Sequence, residues 1–369
     1  MRVTLGNLGK FGVNRDLPEQ ELPPEFFTDA NNVRFTARGA SSVRGDRRGM
    51  ATGLVQAKWL IQVPPSDHPM WVYGDETRLC AYDGVSHQEI TRVAQPYSGN
   101  SIQRWNGALF SGLLVANNTV DVPQVWPNFA LSTPMVDLPN WPGTLRCKFL
   151  RAFKNFLVAG NLTEGATEHP FRLRISHPAQ PGAVPPSWVT NNPAFDSRQV
   201  DLGETEDGLV DCLRLGDINV VYREKCAWGM QFVGGASKWR FWPLLENSGL
   251  LWRDCVQAYP RGHAVLGQDD VFVHNGTINS EESILHNKIR KWLFKLISPD
   301  NYFNCFTVKH SEEKEIWFCV PEAGATYATF AMMWNYRDGG IGFRELPEIP
   351  FATSGVLPSQ DTVSAQWGN

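Results

Sequence analysis

Asp269 and Asp270 are adjacent carboxylates directly ahead of an apolar run that starts at Val271. Paired acids of this kind suit general acid–base work or calcium binding. The stretch Gly267-Gln-Asp-Asp-Val271 also reads as a hairpin turn between Leu266 and Phe272, where Gly and Asp are favoured for their backbone geometry alone. The turn is the expected reading. The eight histidines are scattered, with no pair at the three-to-five-residue spacing of metal ligands. His263 and His274 flank the same expected hairpin and could approach one another, which alone is thin support for a metal. The chain has no Ser-x-Asp-x-Gly-x-Thr-Trp turn, no G-x-S-x-G elbow, no H-E-x-x-H, no P-loop and no G-x-G-x-x-G. The expectation is a protein that is not an enzyme, with no catalytic residues, no cofactor and no bound metal.

Two clusters of cations are better candidates for binding. Five arginines (Arg34, Arg38, Arg44, Arg47 and Arg48) fall within fifteen residues that hold one acid, Asp46, and are spaced by Gly39, Ala40, Ser41, Ser42 and Gly45. The guanidinium fork pairs bidentately with carboxylate or phosphate, so this hairpin suits an acidic protein face or a nucleic-acid backbone. The plain alternative is a hairpin that is solvated or paired within its own chain. We expect an assembly contact, because a net charge of −4 leaves carboxylates elsewhere on the same protein to meet these arginines. The second cluster is Lys288, Arg290, Lys291 and Lys295, a possible docking face on a helix or simply its solvated side.

The elements that must carry these residues follow from a degenerate repeat. Apolar runs at Trp71–Tyr73, Ala108–Phe110, Phe156–Ala159, Ile218–Tyr222, Ala264–Leu266 and Glu315–Cys319 recur at a mean spacing of about 49 residues, within the range of propeller blades. Second runs follow at Leu79–Asp83, Phe171–Ser176, Ala227–Val233, Val271–His274 and Phe330–Tyr336. One small twisted sheet cannot bury both faces, and stacking blades about an axis does so. The reading is an all-β chain with a single β-propeller, six-bladed, over residues 51–350. It has an N-terminal arm (1–50) with the Arg-rich hairpin and a C-terminal tail (351–369). Closure is expected from an early strand pairing near Met332–Tyr336. An irregular pair of β-sandwiches is the competing fold. One segment departs from the strand pattern: Leu285, Ile289, Trp292, Leu293, Leu296 and Ile297 recur at helical spacing. This predicts one inserted amphipathic helix over about 280–298, capped by Asn279 with Glu282 reaching back, and stopped by Pro299.

Composition bounds the function. Hydrophobic residues make up 42% and charged residues 20%, enough for a sizeable core, and 32 Gly with 25 Pro favour many turns. Mild acidity argues against a dedicated grip on nucleic acid, which is normally basic. The seven cysteines are at least 14 residues apart and odd in number, so they read as small buried hydrophobes of a protein folded in a reducing cytoplasm. Met1–Lys10 has no signal-peptide pattern and no run reaches membrane-spanning length, so neither export nor a membrane is expected.

Two regions resemble the tail-nozzle, or tubular-tail, β-propeller proteins of short-tailed (podovirus-like) bacteriophages. The first is Val13-Asn-Arg-Asp-Leu-Pro, Leu22-Pro-Pro-Glu-Phe and Asp29-Ala-Asn-Asn-Val33, followed by the Arg-rich turn. The second runs from Val221-Tyr-Arg-Glu-Lys through Trp228-Gly-Met-Gln-Phe-Val-Gly-Gly235, Arg253-Asp-Cys-Val256, Asp270-Val-Phe-Val-His-Asn-Gly276 and Arg290-Lys-Trp-Leu-Phe294. It ends at Glu315-Ile-Trp-Phe-Cys-Val-Pro-Glu and Trp334-Asn-Tyr-Arg-Asp338. Together they cover about a third of the chain; residues 85–210 match in character only, and the tail after Ala352 departs. The resemblance implies a structural, virion-borne subunit, assembled in the host cytoplasm. About six copies would form a ring below the portal and its head-to-tail adaptor, hold tail fibres or spikes, and pass double-stranded DNA without reading its sequence. A near-neutral wall suits that task, since a Lys/Arg-lined tube would hold the duplex tightly. The alternative is a carbohydrate-binding, receptor-binding propeller of tail-fibre or lectin type, whose 14 tryptophans would include some that stack on sugars. A propeller glycosidase, needing two carboxylates about a scissile bond, is the third reading.

Overall fold

A computed structural model describes residues 9–46, 48–64, 69–94, 96–203, 206–286 and 288–356. Five sheets have four strands each, in strict sequence order and antiparallel wherever pairing is resolved. The first is Trp59–Val63, Met70–Gly74, Leu79–Tyr82 and His87–Glu89. The second is Asn106–Phe110, Leu113–Asn117, Gln124–Trp126 and Val136–Asp137. The third is Leu145–Phe153, Phe156–Glu164, Thr167–Ile175 and Arg198–Asp201. The fourth is Leu209–Leu215, Ile218–Arg223, Ala227–Gly234 and Lys238–Leu245. The fifth is Val256–Tyr259, Gly262–Leu266, Val271–His274 and Glu282–Ser283. Successive up-and-down meanders of this form are blades of a β-propeller, and the chain is all-β as expected.

The equal sixfold repeat is corrected. Five sheets, rather than six, have the plain four-stranded form. The last sheet has six strands, in the order Phe26–Phe27, Gly12–Val13, Ile341–Ile349, Ala328–Asn335, Glu315–Val320 and Phe306–His310. Its first two strands come from the arm and pair in parallel, Gly12 opposite Ile341. The early strand therefore joins Ile341–Ile349, not the Met332–Tyr336 stretch, which is already flanked on both sides. Gly12 is required here: φ is +89°, and a Cβ would lie 1.9 Å from the Ile341 carbonyl oxygen.

The chain divides into two compact units. One comprises Met1–Asp46, Glu224–Trp228 and Pro243–Ser354, and so holds the fifth sheet, the last sheet and the described arm up to Asp46. The arm's hairpin, Val33–Thr36 with Gly39–Ser42, is anchored at its base by the Asn32 N–H donating to the Phe343 carbonyl (2.9 Å). The other unit comprises Arg47–Arg223, Gly229–Trp242 and Gly355–Asn369. One of its cores gathers Phe110 and Val115 of the second sheet, Leu150 and Leu157 of the third, and Trp188 from the loop before the third sheet's last strand, with Trp141 edge-on to Trp188 at 4.6 Å. All seven cysteines are buried, as the reading of small hydrophobes requires.

The helix is also corrected: it spans Arg290–Leu296 and not 280–298. Glu282 and Ser283 pair with Val273 and Phe272 as the fourth strand of the fifth sheet, because that sheet would otherwise end on a three-stranded edge. Asn279 has φ +47° and does not cap; its Oδ1 accepts from the Glu246 N–H at 3.2 Å. Leu285, Ile289 and Leu293 are fully buried. Trp292 is half-buried, its ring tilted against Phe343 (4.8 Å) and edge-on to Phe330 (5.5 Å).

Candidate interaction sites

The Arg-rich hairpin is not a uniform cationic arm. Arg34 is buried and held by two carboxylates of the last sheet: Nε and Nη2 donate to Glu315, the latter at 3.2 Å, and Nη1 pairs with Glu313 at 3.1 Å. Glu315 is itself buried and also accepts from the Trp317 indole N–H at 2.9 Å. Arg48 donates to the Met50 carbonyl (2.9 Å) and to Thr52. Arg38 and Arg44 are exposed, and Arg47 lies outside the described residues. The hairpin thus has a buried anchor at Arg34 and an exposed tip at Arg38, and Asp46, past the end of its second strand, is bound by Arg344.

The proposed docking face of the helix separates in the same way. Arg290 is tied to Asp269, with Nη2 on Oδ2 at 2.8 Å and Nε on the backbone carbonyl at 2.8 Å. Lys291 and Lys295 are exposed. Lys288 turns inward and its amine donates to the Ile284 carbonyl at 3.3 Å; burial pulls its pKa down. Its own carbonyl accepts from the backbone N–H groups of Arg15 (2.7 Å) and Asp16 (2.9 Å). Arg15 then lies over Trp292, 4.2 Å from the ring centre, and pairs with Asp29. The arm is thereby strapped to the helix.

Asp269 and Asp270 form the turn expected of them: the Gly267 N–H donates to the Asp270 carbonyl at 2.8 Å, and Leu266 faces Val271. Burial raises the Asp270 pKa, with Ser283 and Arg290 opposing. His263 and His274 do meet. They are directly opposed on neighbouring strands with rings edge-on at 5.4 Å, both buried. Burial first, and the neighbouring His263 second, lower the His274 pKa to about 3, so it is neutral at ordinary pH. Among the described residues no three His, Cys, Asp or Glu side chains gather as metal ligands, and no helix is long and apolar enough to cross a membrane.

Sequence reasoning missed the buried charges of the other unit. Arg151 on the third sheet grips Asp211 on the fourth through two 2.7 Å bonds and also reaches the Gly107 carbonyl at 3.3 Å. Arg223 is fully buried, its guanidinium donating to the carbonyls of Leu202 (2.6 Å) and Asp207 (2.9 Å) and facing the Phe171 ring. Asparagines repeat the theme. Asn106 donates to the Lys148 carbonyl (3.3 Å) and accepts from the Leu150 N–H (2.9 Å), while Asn117 donates to the Cys147 carbonyl (3.0 Å). These polar groups join sheet to sheet and are satisfied, so they are structural.

Also unforeseen is a cleft of about 390 Å³ in the unit that holds the fifth and last sheets. Tyr259 and Trp334 supply an aromatic wall, edge-on at 5.5 Å. Arg261, Lys288, Glu282 and Asn275 supply polar groups around it, and His274 lies at its base. Arg261 is exposed and donates one bond, to the Tyr336 carbonyl at 3.1 Å. Only spatial pairing across Gln257–Tyr259, the following turn and Trp334 creates this group; no sequence spacing signals it.

No family model matches the chain and no curated protein matches it. Among solved structures it is similar to the AfRom2 CNH domain (9% identity, TM-score 0.45, covering 78% of this chain and 84% of that one). It is also similar to PorZ, an essential surface component of the type-IX secretion system of Porphyromonas gingivalis (11%, 0.43, 81% of this chain). The chain spans about a third of PorZ, 34% of its length. The WD40 β-propeller domain of Doa1 matches at 12% identity and TM-score 0.40, over 80% and 85% of the two chains. Likenesses this distant carry no information on activity, and the architecture stands on the sheet order alone.

Proposed function

We propose that this chain is a non-enzymatic structural subunit of a short-tailed phage tail nozzle or hub. Several copies, six by resemblance, form a ring below the portal and its adaptor, conduct the genome outward and anchor fibres or spikes. In this reading the six-stranded sheet is the sixth blade, closed by the arm. The observation that carries the proposal is where the phage-like stretches sit. The arm and most of the stretch after residue 221, far apart in sequence, lie in one compact unit, with the arm strand paired to the last sheet and Arg34 locked to Glu315. A resemblance whose two parts are interdependent in the fold is a resemblance of one structural module. The absence of a catalytic motif in the sequence agrees with a structural role, as does a net charge of −4 for a wall past which DNA must slide.

Arg38, at the exposed tip of the hairpin, and Arg44, exposed just past the end of its second strand, are the arginines offered to a neighbouring copy or the adaptor. The mass of the purified assembly and its rotational symmetry by negative-stain imaging test the proposal together. A closed ring with a lumen is expected, weakened at low salt by Arg38→Glu with Arg44→Glu while the melting temperature of the subunit is unchanged. A chain that stays monomeric at every concentration, alone and with its adaptor, overturns it. The alternative carbohydrate-binding reading draws on one feature, the aromatic wall formed by Tyr259 and Trp334.

A further inference from the structure

We infer that the cleft beside Tyr259 and Trp334 is a binding site for a carboxylated sugar, of the hexuronate class. Its volume of about 390 Å³ lies at the small end of ligand pockets, ~300–1,000 Å³, which suits one or two sugar rings. Three features select the chemistry. The half-buried Tyr259 ring, backed edge-on by the buried Trp334, offers apolar surface for the C–H face of a sugar ring. Lys288 is a half-buried cation whose amine donates to a single carbonyl, that of Ile284, while the Glu282 carboxylate across the cleft offsets only part of the cost of its burial. A desolvated ammonium in that state gains by meeting an anion. Arg261, at the rim, has one of its N–H groups engaged with Tyr336 and presents the others as donors for a carboxylate. Glu282, also on the rim, is exposed and accepts from hydroxyls.

Charge narrows the class further. Two cations against one carboxylate, with the deeper His274 neutral, leave the cleft with a single net positive charge. A monoanionic carboxylate matches that balance, whereas a phosphate dianion would face repulsion from Glu282. The inference extends the carbohydrate reading to a particular site and ligand class, and it holds whether or not the chain forms a ring.

The experiment is calorimetric titration of the full chain at low salt with digalacturonate and with its fully methyl-esterified form. The acid is expected to bind at least ~10-fold more tightly than the neutral ester. Lys288→Met, which keeps the length of the side chain, is expected to abolish that preference. Arg261→Gln, at an exposed position, is expected to reduce it. Tyr259→Ala is expected to weaken both ligands alike. Equal affinity for acid and ester, a preference that survives Lys288→Met and Arg261→Gln together, or no saturable binding of the acid overturns the site. Binding of both ligands that persists in all three variants also overturns it, while leaving a carbohydrate site elsewhere on the chain.

Discussion

The third sheet and the last sheet solve the same problem in opposite ways. The third is one contiguous meander, Leu145 to Asp201, whose first three strands meet across two-residue turns and whose fourth follows a single longer loop, residues 176–197. Its links to the second and fourth sheets are polar clasps: Asn106 and Asn117 on the backbone of Lys148, Leu150 and Cys147, and Arg151 on Asp211. The last sheet is assembled from both ends of the chain, with a two-residue parallel strand at Gly12–Val13 and a buried Arg34–Glu315 pair more than 280 residues apart in sequence. Contiguous sheets close cheaply in entropy. A sheet that borrows its edge from the far end must be held by side chains strong enough to offset a long loop. This difference explains where the strong ionic and aromatic contacts of that unit gather: Arg34 on Glu315, Arg15 on Trp292, and Trp292 on Phe343.

Five experiments break or sharpen that contrast, from the largest effect down. Deleting residues 330–369 removes two central strands of the last sheet, and cooperative urea unfolding of the unit that contains it should be lost. Glu315→Ala leaves Arg34 buried without its main partner and should cost about 3–5 kcal/mol, read from urea melts; replacing both residues with apolar side chains should recover much of that loss. Trp292→Ala removes the ring between Arg15 and Phe343 and should cost about 2–4 kcal/mol, below the value for a fully buried tryptophan because this one is half-exposed. In the contiguous sheets, Asn106→Ala should cost about 1–3 kcal/mol by leaving the Leu150 N–H without its acceptor. The smallest effect is on pH dependence. The folded pKa of His274 lies near 3, below its ordinary value of about 6.5. The unfolded chain therefore binds the extra proton, and the stability present above pH ~6.5 is lost progressively as pH falls toward 3. His274→Gln should flatten this acid limb, so that its melting temperature falls less than that of the parent between pH 7 and pH 4.5, by about 3 °C or more.

Local pattern carried much of the fold. Each of the six apolar runs lies within a strand of a different sheet, and the five second runs coincide with third strands. The uneven spacing has a cause: Ala108–Phe110 is part of a first strand, whereas the other five runs are second strands. The helix was half legible. Leu285, Ile289 and Leu293 have helical spacing because all three are buried, yet Glu282 and Ser283 are claimed by hydrogen bonds to Phe272 and Val273. Sheet completion overrides a propensity that is weak on its own. The site was barely legible. Nothing in the spacing of Arg34 separates it from Arg38, and burial against Glu315 is a tertiary fact. Tyr259, Lys288 and Trp334 are distributed over 76 positions and only the fold brings them together.

The parallel pairing of Gly12 with Ile341 also sets a timetable for synthesis. The arm leaves the ribosome well before its partner strand, which follows 329 residues later. At about 5–20 residues per second that is a wait of roughly 16–66 s, during which Phe26 and Phe27 have no sheet to join. An unpaired apolar segment held that long is an aggregation hazard, and the four acids Asp16, Glu19, Glu21 and Glu25 just ahead of it are well placed as gatekeepers while the rest of the chain is made.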